Sequence, residues 1–222
     1  DSWEIIALRC FFAAIAMIIL FVVRERGRTI ASLRASALPS LFIGVITGWA
    51  IIAYVLAMQL TLVANVTAIM TTSTLIVALL ARPFLGERVP LHTWFAMVGG
   101  LVGIGVMFSG AAGAGSLYGN LLAFTIALAI ALQTLIARKF RHVQMEPAVF
   151  VAALVAGIAA LPMALPFTAS GHDVAMMAAF GVVQLAVPLT LYFYAARYLA
   201  APTLIFVVLI DAVLAPVWVW LG

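Results

Sequence analysis

Residues 5–28 read IIALRCFFAAIAMIILFVVRERGR. Residues 5–23 carry a single charge, Arg9, and run straight into Arg24, Arg26 and Arg28. A helix needs ~20 mostly apolar residues to cross the hydrocarbon core of a bilayer, and Lys and Arg collect at its cytoplasmic end. The stretch therefore predicts a spanning helix that finishes on the cytoplasmic side. Backbone groups in lipid must be bonded within their own segment, which a helix achieves. A barrel strand would alternate apolar and polar residues with period two, and this run does not.

Working outward, seven more runs have the same character: 38–60, 64–80, 92–109, 118–137, 147–165, 174–195 and 203–222, separated by short polar or Gly/Pro stretches. The composition agrees. The 222 residues are 67% hydrophobic and 8% charged, with mean hydropathy +1.29. A soluble domain holds roughly 45–50% apolar and about 25% charged residues, so neither a soluble fold nor a disordered chain fits. The net charge of +4 does not point to nucleic acid, because the cations sit in short clusters between apolar runs. The first, third, fifth and seventh loops carry ten of the eleven basic residues; the second, fourth and sixth carry none. The cation-bearing side is cytoplasmic, and the first helix runs inward. Arg9 is the exception, one turn inside the outer end of that helix; it reads either as snorkelling to the interface or as a pore-facing cation.

Several chemistries drop out. Cys10 is the only cysteine, which excludes an internal disulfide and a cysteine-built metal site. His92, His142 and His172 fall in loops or at helix ends on opposite sides and cannot share a metal. A His-Glu-x-x-His metalloprotease motif, a Gly-x-Ser-x-Gly elbow and an ATP-binding P-loop are all missing from the sequence. The expectation is a non-enzyme with no cofactor and no metal.

A shift of 138 residues aligns Phe12 with Phe150, Ala14 with Ala152, Phe42 with Phe180, Val45 with Val183, Tyr54 with Tyr192 and Ala57 with Ala195. Runs 5–23, 38–60 and 64–80 then fall on 147–165, 174–195 and 203–222. The shift spans five helices, an odd number, so the second copy lies inverted. The charges follow: Arg24, Arg26 and Arg28 align with Pro162, Ala164 and Pro166. Inverted repeats are a common plan of secondary transporters, with the binding site near the midplane between the halves. The fold expected is an all-α integral membrane bundle of two inverted five-helix repeats, with eight of ten helices present. Residues 1–110 form the first repeat without its first helix, and 117–222 the second without its last. The chain starts at Asp1 and ends at Gly222 inside an apolar run, which reads as a trimmed ten-helix parent.

Leu80-Ala-Arg-Pro-Phe-Leu-Gly-Glu-Arg88, followed by Trp94 and the glycines 99, 100, 103 and 105, resembles the junction between the fourth and fifth helices of EamA-type proteins in the drug/metabolite transporter superfamily. Residues 209–218 resemble the ninth helix of that family, and Arg9 an arginine common early in its second. The resemblance implies an exporter of amino acids or small metabolites, ten helices and cytoplasmic termini. The expected setting is a bacterial inner membrane, as monomer or homodimer, with a small-molecule substrate, the lipid bilayer and no nucleic acid as partners. A channel, a lipid flippase and a non-transporting structural protein stay open as alternatives.

Polar residues within the runs are the candidates for a substrate or proton pathway. Asp211 is the only acid near the middle of a span, where a charge costs about 2.5–3.5 kcal/mol and must face the bundle interior or water; it is the candidate for proton coupling. Ser73 aligns with Asp211 across the repeat and heads the polar-lining candidates with Thr74, although hydroxyls also bond to carbonyls one turn back. Trp49, Gln184, Gln133 and Tyr192 either line a cavity or bond neighbouring helices. Pro188 and Pro216 are expected to kink their helices. Gly44-x-x-x-Gly48 and Gly99-x-x-x-Gly103 predict close helix approach. Glu87 and Arg88 read as a loop-fixing ion pair. Few charges line the spans, which argues against a highly charged substrate.

Overall fold

The computed structural model describes residues 2–25, 29–87, 89–107 and 116–207. Among them there is no strand, and the helices follow the apolar runs: α1 (Ser2–Glu25), α2 (Thr29–Leu60), α3 (Val63–Thr71), α4 (Ser73–Leu85), α5 (Leu91–Met107), α6 (Leu117–Lys139), α7 (Pro147–Ala164), α8 (Gly171–Phe180) and α9 (Val187–Ala195), with α10 over 201–207. Six spans are long and apolar enough to cross a membrane: Ser2–Val23, Ser36–Leu60, Val63–Leu85, Leu117–Lys139, Pro147–Ala164 and Gly171–Ala195. The shorter Leu91–Gly103 is apolar as well. The chain is an all-helical integral membrane protein, and its large apolar side chains lie outward: Phe11, Ile19, Val22, Val102 and Val183 are all exposed.

Three helical boundaries depart from the apolar runs. α2 starts at Thr29, not near 38, because a helix continues beyond the apolar stretch that hydropathy detects. The run 64–80 reaches Leu85 and is divided at Thr72, whose backbone N–H bonds to Ile69 three residues back at 3.0 Å, a tight turn within the span. The run 174–195 holds a π-helical segment, Gly181–Ala186, between α8 and α9. Pro188 lies just after it and has no N–H to offer the Gln184 carbonyl four residues back. The Val187 N–H reaches five residues back to Val182. The irregularity expected at Pro188 thus takes the form of a widened turn ahead of it.

The ends of these helices follow from local sequence. Ser170 caps α8 with a reciprocal capping box: its hydroxyl accepts from the Asp173 N–H, and the Asp173 carboxylate accepts from the Ser170 N–H. α4 stops at Gly86, whose φ of 70° is left-handed and favours glycine. Its N–H and that of Glu87 bond back to Arg82 and Ala81.

The residues group into two compact units: Asp1–Ile52 with Phe140–Tyr198, and Ala53–Lys139 with Leu199–Gly222. In the first, α1 packs on α7, α8 and the π segment. The α1–α7 interface is built of small residues, Ala7, Cys10, Ala13 and Ala14 on one side and Ala152, Ala153, Ala156 and Ala160 on the other, all buried. Small side chains let backbones approach, which is how helices associate where lipid supplies no hydrophobic drive. Gly44 and Gly48 of α2 do the same against α7: a Cβ on Gly48 would lie 2.8 Å from Val155 Cβ and 3.0 Å from the Ala152 carbonyl. The close approach expected at Gly99 and Gly103 is not seen, since a Cβ at either would meet nothing within 4 Å among the described residues. In the second unit α6 packs on α3 and α4, around a core of Val77, Ala78, Met97, Ala131, Leu135, Ala201 and Ile205.

Contacts fix helix directions within each unit. Glu4 meets Thr168, Arg9 meets Gln184 and Thr190 meets Met17. Both chains therefore advance together, and α1 runs parallel to the span 171–195. Gly44 and Gly48 face Val151 and Val155 in the same order, so α2 is parallel to α7. In the second unit Thr61 meets Asn120 and Glu87 meets Arg138, making α3–α4 parallel to α6. Parallel neighbours cross in the same sense, as the alternation of basic loops requires for each of these pairs.

Candidate functional site

Arg9 projects from the third turn of α1, and the π segment brings Gln184 to it. The guanidinium Nη1 donates to Gln184 Oε1 at 3.4 Å. Arg9 Nε is buried and has no hydrogen-bond partner among the described residues. Gly181 makes the approach possible, for a Cβ there would collide with the Arg9 carbonyl and lie 3.1 Å from the Ala13 nitrogen. Backbone therefore rests on backbone, and a widened turn follows immediately. π segments inside helices recur at functional sites. A guanidinium stays charged in any protein environment, so here a full positive charge within an apolar span is held by one long hydrogen bond to a neutral amide.

An apolar groove of about 540 Å³ runs between α1 and the π segment with α9, lined by Met17, Leu20, Val182, Ala186, Val187 and Leu191 among others. Val182 and Ala186 stand two residues either side of Gln184, on the other face of the turn, and neither Gln184 nor Arg9 is among the lining residues. Thr190 at its wall bonds to the Ala186 carbonyl at 2.7 Å.

Glu4 fixes the outer end of the same helix pair. It is buried, and its carboxylate accepts from the Thr168 N–H at 2.7 Å, the Ala169 N–H at 2.6 Å and the Thr168 hydroxyl at 3.0 Å. Charge-assisted bonds of this kind hold the loop before α8 against α1. Sequence reading passed over Glu4, whose only signal is an acid in the first turn of an otherwise apolar helix.

The other predicted residues occupy several settings. Trp49 on α2 is 46% exposed. Tyr192 on α9 is partly buried, its ring edge-on to Phe193. In the second unit Ser73, Thr74 and Gln133 are all buried. Thr74 donates to the Thr71 carbonyl at 2.6 Å, as Thr71 and Thr72 do to Ala68 and Ile69 at 2.7 and 2.6 Å. Glu87 ties its loop to two neighbouring elements. It accepts from Arg138 Nε at 2.6 Å and from the Ala201 N–H, at the start of α10, at 2.9 Å. Arg88, Asp211 and Pro216 lie outside the described residues, and so does the Ser73–Asp211 pairing. Of the predicted set, Arg9 and Gln184 are the two seen to be bonded to each other.

The family described as EamA-like transporter family matches residues 1–109. A solved chain, titled only as the crystal structure of a protein, superposes with a TM-score of 0.82 at 18% identity, covering 99% of this chain and 78% of its own; it shows the fold alone. No curated protein gives a significant match.

Proposed function

Because residues 1–109 match the EamA-like transporter family, part of the drug/metabolite transporter superfamily, we propose that the chain is a secondary transporter that exports small metabolites or amino acids across a bacterial inner membrane by alternating access. The family match is the observation that carries this reading, and that family is one of membrane transporters rather than enzymes.

Two inverted repeats, 1–110 and 117–222, underlie the mechanism. Helix directions in the first unit support them. α1 and α7 are equated by the 138-residue shift and run antiparallel: Gly157 lies at Cys10 and Ala7, while the chain beyond α7 returns to Glu4. Since α1 is parallel to 171–195 and α2 to α7, the second equated pair, α2 and 171–195, is also opposed. Inversion demands this of every pair. On the proposed pathway Arg9 and Gln184 act with Trp49 and Tyr192 on elements of the first unit, and Ser73, Thr74 and Gln133 on elements of the second, with Asp211 as the proton-exchanging carboxylate.

Counterflow of a mixed amino-acid and metabolite pool in proteoliposomes tests it. Saturable flux that Asp211→Asn abolishes without loss of folding is the expected result. Conductance without saturation would replace the transporter by a channel, and flux untouched by Asp211→Asn would remove that carboxylate from the mechanism.

A further inference from the structure

We propose that the cavity beside Arg82 and Trp94 holds the head group of a monoanionic phospholipid, of the phosphatidylglycerol class, from the cytoplasmic leaflet. The site lies within the second unit. It takes no part in the transport pathway, so it stands or falls without regard to flux.

Position comes first. Arg82 is in the last turn of α4, and Glu87 just beyond it bonds to Arg138 in the last turn of α6. The two helix ends therefore lie together, on the side where the basic loops collect, which is the cytoplasmic one. Trp94, in the first turn of α5, suits the same level. An indole is apolar over its rings and carries one N–H for the head-group region. Ala78, Leu79, Arg82, Val89 and Trp94 line a cavity of about 560 Å³ there. Basic pockets between spanning helices on the cytoplasmic side are where acidic lipid head groups bind.

Charge and shape select the occupant. Arg82 brings a permanent positive charge to the cavity wall. Glu87, the acid nearest to it in sequence, is engaged by Arg138 and the Ala201 N–H. One phosphodiester neutralises one guanidinium, and the guanidinium fork fits its two free oxygens. Free phosphate would bring a second charge and leave the apolar wall unused. Phosphatidylcholine would set its own cation beside the arginine. The wall continues as a track for acyl chains. Leu79 lies three residues before Arg82 on α4, and Val98 four residues after Trp94 on α5, spacings that share a helix face. Both are exposed. Both lie nearer the membrane centre than Arg82 and Trp94, since α4 ends and α5 begins at the cytoplasmic side.

Fluorescence quenching by bromine-labelled lipids tests this on the full chain in phosphatidylcholine bilayers. Trp94 is one of five tryptophans, so its own signal is the part that Trp94→Phe removes. Brominated phosphatidylglycerol is expected to quench that part at roughly 5-fold lower mole fraction than brominated phosphatidylcholine, the factor that one basic residue near a membrane surface confers. Arg82→Gln abolishes the preference, and Arg82→Lys keeps part of it, in proteins whose thermal unfolding is unchanged. Leu79→Trp, which fills the cavity and leaves the charge in place, also lowers it. Arg141→Gln, on the same side of the membrane in the first unit, leaves it intact. Equal quenching by the two lipids overturns the inference, and so does a preference that survives Arg82→Gln or Leu79→Trp. A preference lowered as much by Arg141→Gln as by Arg82→Gln overturns it too, because the lipid would then answer to a diffuse surface charge. Glycerol 3-phosphate at millimolar concentration is expected not to displace the lipid; displacement would reassign the cavity to a free phosphate and end the lipid reading.

Discussion

Each unit holds one pair of parallel helices with a backbone irregularity in mid-span, and the two irregularities are opposite in kind. In the second unit the turn tightens at Thr72, and the residues around it close it themselves: Thr71, Thr72 and Thr74 each bond to a carbonyl three residues back. In the first the turn widens over Gly181–Ala186, and the polar group brought to it is a guanidinium from the neighbouring helix. Hydroxyls can satisfy themselves within their own helix. An arginine cannot, and needs a partner from elsewhere. The closed irregularity is satisfied within its own helix, and the open one joins two helices.

The largest effects should come from the carboxylates that tie each pair at one end. Glu87→Ala removes the Arg138 bridge and the bond from the Ala201 N–H, and Glu4→Ala removes three bonds to the 168–169 loop; each is expected to lower stability by about 3 kcal/mol in detergent unfolding. A loss under about 1 kcal/mol in either would show that unit to be held by apolar packing alone. Next come the tight glycines. Gly181→Val pushes into the Arg9 backbone and Gly119→Val into Thr61 and the Leu60 backbone, at about 2 kcal/mol each. Gly181→Val should also displace Arg9 from Gln184 and lower flux more than Gly119→Val does; equal loss of flux in both variants would erase the functional distinction between the units.

Smaller again is Thr72→Val, which deletes one local hydrogen bond and should cost about 1 kcal/mol. Smallest is Gly99→Leu, expected within about 0.5 kcal/mol of the parent, against about 2 kcal/mol for Gly44→Leu. Equal costs would mean that Gly99 packs on something after all.

That last pair shows how far the sequence could be read. Gly-x-x-x-Gly at 44–48 and at 99–103 look alike, yet one meets Val151 and Val155 and the other meets nothing within 4 Å among the described residues, because a spacing specifies a face and not its neighbour. Helix class, number and direction were legible, since lipid forces apolar length and cations mark one side. The division at Thr72 and the π segment were not, because both are shifts of hydrogen-bond register that leave hydropathy unchanged; only Pro188 hinted at the second. Arg9 and Gln184 were each visible as polar residues in apolar runs. Their pairing depends on Gly181, whose role emerges only when the helix it must approach is known. Glu4 was hidden because its partners are backbone N–H groups, which every sequence contains.

The two units are also interleaved along the chain, with Ala53–Lys139 inserted between the parts of the first and Leu199–Gly222 completing the second. Neither can close while the ribosome is still at mid-chain. Glu87 is synthesised 114 residues before Ala201, which at translation speeds of about 5–20 residues per second is a wait of roughly 6–23 s. Until then its carboxylate stands at the end of α4 without the backbone donor that it will hold, in reach of a holdase or of the quality-control proteases. Termination before Phe140 therefore leaves both units open, and termination between Tyr198 and Ala201 leaves the second without its Glu87 bond.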